Sequence, residues 1–207
     1  MMKARKLLLA FSLALLVPAV SWADIIFTIG NNPQPNEENV LLNNGQTGAL
    51  VTGTLNQSGL TVEFTSTSGN GLLTEPASGQ ARIEGATGNT PLSQVSFFLA
   101  NNATFDDAIF NMFFGSGSAT IAVTTLDGVF TFNSTLGNGQ NFFTVVASGG
   151  EHISLISLST AGSFTDLRQV RISGAGVTTV PDSGSTLSFF GGGLLALALI
   201  RRKETRA

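Results

Sequence analysis

The chain has 207 residues, a formal net charge of −3 at pH 7 and no cysteine, which excludes disulfides, thiol nucleophiles and cysteine-ligated metals. Seven of its ten Lys and Arg residues lie near the two ends, and between residues 24 and 179 three arginines stand against eleven carboxylates, a net charge of −8. A surface of that sign does not attract phosphate backbones, so we expect no nucleic acid partner.

The first 23 residues predict a secretory signal peptide. Three cations lie within the first six positions, residues 7–17 form an apolar run, and Pro18 ends it. The run is too short to span a membrane comfortably, and the small residues Ser21 and Ala23 fit the positions that a signal peptidase reads. We therefore expect cleavage between Ala23 and Asp24, and a mature chain that lies outside the cytoplasm.

Residues 24–179 are typical of one β domain. Short runs rich in β-branched and aromatic residues alternate with turn-forming segments such as NNPQPNEEN and GATGNTP, and no convincing amphipathic helix or fixed repeat emerges. This pattern predicts an all-β ectodomain, an antiparallel β-sandwich or jelly-roll-like fold. The predicted strands are DIIFTI, ALVTGTL, LTVEFTS, GQARIEG, SQVSFFLA, AIFNMFF, ATIAVTT, GVFTFN, NFFTVVAS, HISL and LRQVRIS.

The first predicted hairpin is centred on Asp127-Gly128, the strongest short-range hairpin signal in the chain. A two-residue turn there would place Thr125 opposite Phe130 and Val123 opposite Phe132. The apolar residues of both strands would then share one face.

A second hairpin is predicted at Gly149-Gly150, between NFFTVVAS and HISL. A tight turn there would place Val146 opposite Ile153. In that register His152 points away from the apolar face to which Ile153 belongs, and we expect it to be an exposed strand residue.

Candidate catalytic groups are few. His152 is the chain's single histidine, and no G-x-S-x-G or H-E-x-x-H motif is present. Asp106 and Asp107 are adjacent, so a strand would point them to opposite faces, which does not suit the paired carboxylates of a glycosidase. We expect no enzymatic role.

Calcium is the more reasonable site hypothesis. Hard cations prefer carboxylate, amide and backbone oxygens, and a jelly roll often brings terminal segments together. Glu37 and Glu38 lie early in the domain and Asp166 lies late, which makes them weak candidate ligands. The D-x-[DN]-x-[DN]-G loop is absent, and no other cofactor is expected.

Carbohydrate binding has a modest case. The domain has no Tyr or Trp beyond the signal peptide, but Phe is plentiful. Neighbouring phenylalanines such as Phe97-Phe98, Phe113-Phe114 and Phe142-Phe143 would place one ring on each face of a strand. We expect most of these rings to be core residues, while the outward ones could contact sugars.

The last 28 residues have three parts. A turn-prone motif is followed by the uncharged run of residues 185–200 and by a basic cluster. The run would reach about 24 Å as a helix, which is short for a ~30 Å hydrocarbon core, but the basic cluster can hold its end on the cytoplasmic side. The motif is Val180-Pro181-Asp182-Ser183-Gly184, and the basic stop within the tail at 201–207 is Arg201, Arg202 and Lys203.

This arrangement resembles the PEP-CTERM sorting domain of Gram-negative bacteria, in its VPDSG variant, with Pro-Asp-Ser-Gly in place of Pro-Glu-Pro. The resemblance implies that the chain is a substrate of an exosortase, a membrane-embedded processing enzyme. It also implies a membrane-spanning helix at residues 185–200, an intermediate anchored in the inner membrane and a final place at the cell surface or outside the cell. The simpler alternative is an ordinary single-span anchor.

These observations lead to two expectations for the body. The first is a structural or adhesive protein of the surface or extracellular matrix, associated with exopolysaccharide and biofilm. The alternative is a non-catalytic carbohydrate-binding module, with calcium as a stabilising ion. In both cases extracellular polysaccharide is the expected partner.

Overall fold

The computed structural model describes residues 24–42, 45–76, 81–87 and 90–176. The predicted signal peptide and the predicted C-terminal sorting segment lie outside these ranges. No helix within them is long and apolar enough to cross a membrane. A single 3-10 turn, Ala100–Asn102, accompanies fourteen strands in the described ranges.

The strand bounds are β1 Asp24–Ile29, β2 Glu38–Leu41, β3 Thr47–Gly48, β4 Leu50–Leu55, β5 Thr61–Thr65, β6 Leu73–Thr74, β7 Arg82–Gly85, β8 Leu92–Leu99, β9 Asp107–Phe113, β10 Ser118–Thr125, β11 Val129–Thr135, β12 Phe142–Ser148, β13 Ile153–Phe164 and β14 Asp166–Ser173. Every run predicted to be a strand overlaps one, although β13 extends far beyond the predicted HISL, and the all-β, antiparallel prediction is confirmed. Three short strands, β2, β3 and β6, lie outside the runs predicted to be strands.

The strands form two layers that share one strand. Along the main path the order is β1-β12-β9-β14-β2-β4-β5-β8-β13-β10-β11. We call β1, β12, β9 and β14, with β7, β6 and β3 beside them, layer 1, and β4, β5, β8, β13, β10 and β11 layer 2. Strand β2 joins the layers because it pairs with β14 on one side and with β4 on the other.

The core lies between the layers, as in a sandwich. Phe97 of β8 and Phe110 of β9 come from opposite layers and meet edge to face, with 5.7 Å between ring centroids. Phe64 and Phe143 extend the cluster on either side. All four rings are buried, and burial stabilises each by roughly 2–3 kcal/mol. The aromatic residues that the strand pattern assigns to the core therefore hold the two layers together.

The first predicted hairpin is confirmed as β10–β11, with a correction to its register. Val123 lies opposite Phe130, not Phe132. The amide of Thr125 donates to the carbonyl of Gly128 at 2.9 Å, which makes Leu126 and Asp127 the central turn residues, one position earlier than predicted. Moving the turn by one residue shifts each residue's cross-strand partner by two positions. Because side chains alternate between faces with a period of two, every residue keeps its predicted face.

The second predicted hairpin is wrong. Strand β12 pairs with β1 and β9 in layer 1, whereas β13 pairs with β10 and β8 in layer 2. Gly149 and Gly150 do form a turn, with φ of 69° and 88°. That turn carries the chain from one layer to the other because both edges of β12 and both edges of β13 are already occupied.

Residues 30–37 cross the outer surface of layer 1 and are called the strap. They have to cross it because β1 and β2 lie on opposite sides of β12, β9 and β14. The amide of Asn32 donates to Thr144 Oγ1 at 3.1 Å, and that hydroxyl donates to the carbonyl of Gly30 at 2.9 Å. Thr144 is therefore fully buried, although its neighbours Phe143 and Val145 are the ones that face the core.

The two ends of the strand path come close together. Phe27 of β1 stacks on Phe132 of β11, with ring centroids 4.9 Å apart and an interplanar angle of 12°. In the described ranges no backbone pairing joins β1 to β11. The sheet is thus nearly closed, by side chains rather than by a hydrogen-bonded ladder.

Candidate functional site

The structure separates the three predicted calcium ligands. Glu37 accepts a hydrogen bond from Arg171 Nη1 at 2.7 Å. Glu38 accepts from the amides of Gln57 and Ser58 at 2.9 and 2.6 Å. Asp166 lies five residues from Arg171 along β14, which is about 16 Å in a strand. Among the described residues no group of three or more His, Asp or Glu side chains is arranged to hold a metal ion, and calcium binding stays a prediction.

Asp166 belongs to an ion pair under an aromatic ring. The carboxylate is completely buried and accepts from Arg168 Nη2 at 2.8 Å. The guanidinium carbon lies 3.6 Å from the centroid of the Phe113 ring, a cation–π contact. In the adjacent strand, Arg82 and Glu84 form a second pair at 2.7 Å.

All three arginines of the described residues are therefore paired with carboxylates on the outer side of layer 1. The domain has no lysine. An anionic ligand would consequently find no unpaired cation on this part of the chain.

His152 and Asp106 form a surface pair. Nδ1 of the ring lies 2.6 Å from the carboxylate, and both side chains are about two-fifths exposed, 41% and 42%. A Cβ at position 174 would lie 2.2 Å from the Asp106 carboxylate, so Gly174 is required there. No hydroxyl of the described residues hydrogen-bonds to His152.

Asp107 begins β9 and is half-buried beside this pair. Ser173 Oγ donates to its carboxylate at 2.7 Å. Burial raises the pKa of Asp107 above its ordinary value; the hydrogen bond from Ser173 opposes the rise, and the negative charges of Asp106 and Glu37 add to it. The ionised form is thus less favourable in the fold than in the unfolded chain.

Asp107→Asn is expected to raise the melting temperature at pH 7 by up to about 2 °C. A carboxyl whose pKa is raised by folding contributes stability below its unfolded pKa, and that contribution is lost as the pH rises through the folded value. Asparagine keeps an acceptor for Ser173 and removes the negative charge. Near pH 3 the carboxyl of Asp107 is itself protonated, so the gain in melting temperature should vanish there. Thermal melts at both pH values test this, with the exposed turn residue Asp127→Asn as control; a lower melting temperature at pH 7 would contradict it.

An open groove runs where the ends of β1, β10 and β11 meet. Its larger part, of about 480 Å³, is lined by Ile29, Ser118 and residues 133–135. A smaller part of about 220 Å³ adjoins it and reaches residues 29–31 and 140–143. We call the two parts together the edge groove. Among the described residues, no ionisable side chain lines it.

The polar groups of the edge groove have unused hydrogen-bonding capacity. Gln140 Oε1 accepts from buried Asn111, and Asn133 Oδ1 accepts from Thr120 at 2.8 Å, so the amide nitrogens of Gln140 and Asn133 are directed to other partners. Neither nitrogen donates to any described residue, and the same holds for Asn31 Nδ2. The hydroxyls of residues 118, 134 and 135 also lack a partner in the described part of the chain. Apolar surface lies beside them, since Ile29 is 69% exposed.

The edge groove continues into a neutral sheet face. Strands β8, β13, β10 and β11 are consecutive in layer 2 and contain no ionisable residue. Their outward positions carry mainly hydroxyl and amide groups, with Thr120 between Asn133 and Ser159 and with Ser157 beside Ser96. We call this surface the hydroxyl face.

Two of the three phenylalanine pairs behave as the strand alternation predicts, whereas Phe113 and Phe114 do not, because Phe114 has a φ of 51° just after β9 and its ring contacts that of Phe113, with centroids 5.0 Å apart. Phe97 and Phe143 are buried, whereas Phe98 and Phe142 are only partly buried on the other face. Phe142 borders the edge groove. The groove's other residues come from four separate segments of common Asn, Gln, Ser, Thr and Ile residues, so sequence reasoning did not single them out.

The C-terminal segment matches a known protein family. Residues 179–203 match the family model described as "VPDSG-CTERM motif". The matched range contains the whole predicted motif, the apolar run and the basic stop, so the predicted sorting segment is confirmed. No curated protein sequence matches the chain significantly.

Comparison with solved structures gives distant similarities. One is to "Carbohydrate binding module family29", at 13% identity and a TM-score of 0.27, covering 73% of this chain and 87% of that one. Another is to a mutant of CBM29-2, at 14% identity and a TM-score of 0.24, covering 73% and 89%. Similarity at these TM-scores carries no conclusion about fold or ligand.

Proposed function

Because residues 179–203 form a PEP-CTERM-type sorting domain of the VPDSG variant, we propose that this chain is a structural or adhesive protein of the cell surface or extracellular matrix. The motif implies export, a membrane-anchored intermediate and processing by an exosortase-type enzyme. The proposal adds the final location and the association with exopolysaccharide and biofilm. The sorting motif is the observation that carries it.

The body, residues 24–179, has properties that suit a protein of the cell surface or extracellular matrix. Its three arginines are paired, it carries a net charge of −8, and one face of layer 2 presents hydroxyl and amide groups. These features favour solubility among polysaccharide chains without charge attraction to them. We extend the proposal to a body with a jelly-roll-like sandwich fold and no catalytic activity, since no hydroxyl of the described residues hydrogen-bonds to His152 in its exposed pair with Asp106.

The second candidate function is a non-catalytic carbohydrate-binding module. The edge groove favours it, because unpaired amide and hydroxyl groups lie next to an exposed aliphatic side chain there. Stabilisation by calcium remains part of this alternative, although Glu37, Glu38 and Asp166 would each have to leave a present partner to bind the ion.

The mature product is expected to begin near Asp24 and to lack the residues beyond the V-P-D-S-G motif. Intact-mass measurement of the protein released by the native cell tests both ends. A strain without its exosortase provides the control and should accumulate a form that keeps residues 201–207. Release of a mature form that still contains Arg201 to Ala207 would instead indicate a plain membrane anchor.

A further inference from the structure

We propose that the edge groove is a binding site for a chain of neutral sugar residues, with Ile29 as the apolar contact and Gln140, Asn133 and Asn31 as hydrogen-bond donors. This inference rests on the carbohydrate-binding alternative and locates it on the molecule. It concerns a site that no sequence motif marks.

Charge sets the class of ligand. No ionisable residue of the described ranges lines the groove, and the four strands behind the hydroxyl face have none either. The arginines of the described residues are paired in layer 1, while the carboxylates exceed them by eight in residues 24–179. An anionic polymer would meet repulsion with no compensating ion pair, so the ligand is expected to be uncharged.

Hydrogen bonding narrows the class to a hydroxyl-rich ligand. The three amide nitrogens are donors, whereas the hydroxyls of Ser118, Ser134 and Thr135 can either donate or accept. A sugar hydroxyl also does both, so it can pair with either kind of group. The oxygens of Gln140 and Asn133 are held by Asn111 and Thr120, which fixes the direction of the two free nitrogens before a ligand arrives.

Shape and apolar surface agree with a sugar chain. The larger part of the groove, about 480 Å³, lies in the range of roughly 300–1,000 Å³ typical of small-molecule sites. Ile29 projects into both parts and Phe142 borders the smaller one, offering apolar surface to the C–H faces of a pyranose ring. Ser118 and Asn133 belong to both the groove and the hydroxyl face, so a longer chain could continue along the sheet.

A second copy of the chain is the competing occupant. Among the described strands, β1 pairs only with β12 and β11 pairs only with β10, and an unpaired strand edge can accept another strand. The groove lining includes side-chain amides and hydroxyls, which a strand addition would leave unsatisfied. The sugar chain is therefore the occupant we favour.

The test is calorimetric titration of the full-length chain, in detergent micelles, with neutral soluble polysaccharides (a β-glucan, a galactomannan and a xyloglucan) and with alginate as the anionic comparison. We expect binding to at least one neutral polymer and none to alginate. Ile29→Ser should weaken that binding about tenfold through loss of the apolar contact. Gln140→Glu keeps the acceptor for Asn111, removes the donor and adds a charge, and should weaken it about tenfold or more.

Two matched variants serve as controls. Leu126→Ser removes an aliphatic side chain that is 77% exposed at the β10–β11 turn, and Asn70→Asp adds a carboxylate at an exposed turn that does not line the groove. Both should bind like the wild type. Thermal melts of all four variants show whether an affinity change comes from loss of folding.

The possible outcomes test the edge groove as the binding site separately from the carbohydrate-binding function. Binding that Ile29→Ser and Gln140→Glu leave unchanged would overturn the edge groove as the site and leave the carbohydrate-binding function standing. No binding to any neutral polymer would overturn both, whereas the surface role depends on the processing experiment. Preferential binding of alginate, or a dimer that Ile29→Ser dissociates in sedimentation experiments without any sugar binding, would also overturn the site.

Discussion

Replacing Pro181 and Asp182 together by Ala is expected to reduce the processed form to background, with the unprocessed precursor accumulating at the membrane. The two residues lie within the matched segment, in the five-residue motif that we expect an exosortase-type enzyme to recognise. The apolar run and the basic stop are unchanged, so insertion into the membrane should proceed normally. Fractionation followed by immunoblotting measures the ratio of precursor to product.

The matched control is Val177→Ala with Thr178→Ala, two substitutions just before the matched range. This variant should be processed like the wild type. If the Pro181/Asp182 variant is trimmed and released at the wild-type ratio, the motif is only a linker. The sorting proposal would then lose its most specific support, whatever the function of the body.

Phe97→Ala is expected to lower the free energy of unfolding by about 3–5 kcal/mol. The ring is fully buried and contacts three other rings, those of Phe64, Phe105 and Phe110. Phe110 belongs to the other layer, so the cavity would open at the contact between layers. A loss of that size is a large share of the roughly 5–15 kcal/mol that stabilises a typical domain.

Denaturant unfolding, monitored by circular dichroism, measures the change in the free energy of unfolding. Phe98→Ala is the control, because Phe98 is the next residue of β8 and points to the outer face. We expect it to cost less than half as much. An equal loss from the two variants would mean that the outer surface of layer 2 is covered by a second core, contrary to the alternation described.

The fold was predictable where the residues of one continuous segment determine both the turn and the faces of its strands. The β10–β11 hairpin has a turn signal at Asp127-Gly128 and a period-two pattern on both sides, and each supports the same faces. The turn at Gly149-Gly150 was predicted from residues of the same kind, but it joins strands in different layers. Glycines with positive φ specify that the chain turns; they do not specify whether the next strand pairs with the last one.

The strap and the groove depend on contacts that no local pattern contains. The turn-rich composition of residues 30–37 correctly indicates a loop, yet its partners Thr144 and Arg171 lie more than one hundred residues away. The groove likewise combines Ile29 with residues 118, 133–135 and 140–143. By contrast, the sorting segment was predictable because its three parts are contiguous, its motif resembles a known one, and the membrane dictates the composition of the apolar run and the basic stop.

The pairing of β1 with β12 also sets the order of events during export. Asp24 and Ser148 are register partners across 124 residues, so in a chain that crosses the membrane from its N-terminus the first strand emerges long before its partner. At the ~5–20 residues per second of protein synthesis, that interval would be about 6–25 s. Throughout it the segment DIIFTI would present an unpaired, apolar strand edge to other chains in transit, which is the kind of species that aggregates. The long sequence separation between β1 and β12 therefore leaves the first strand open to aggregation until its partner has emerged.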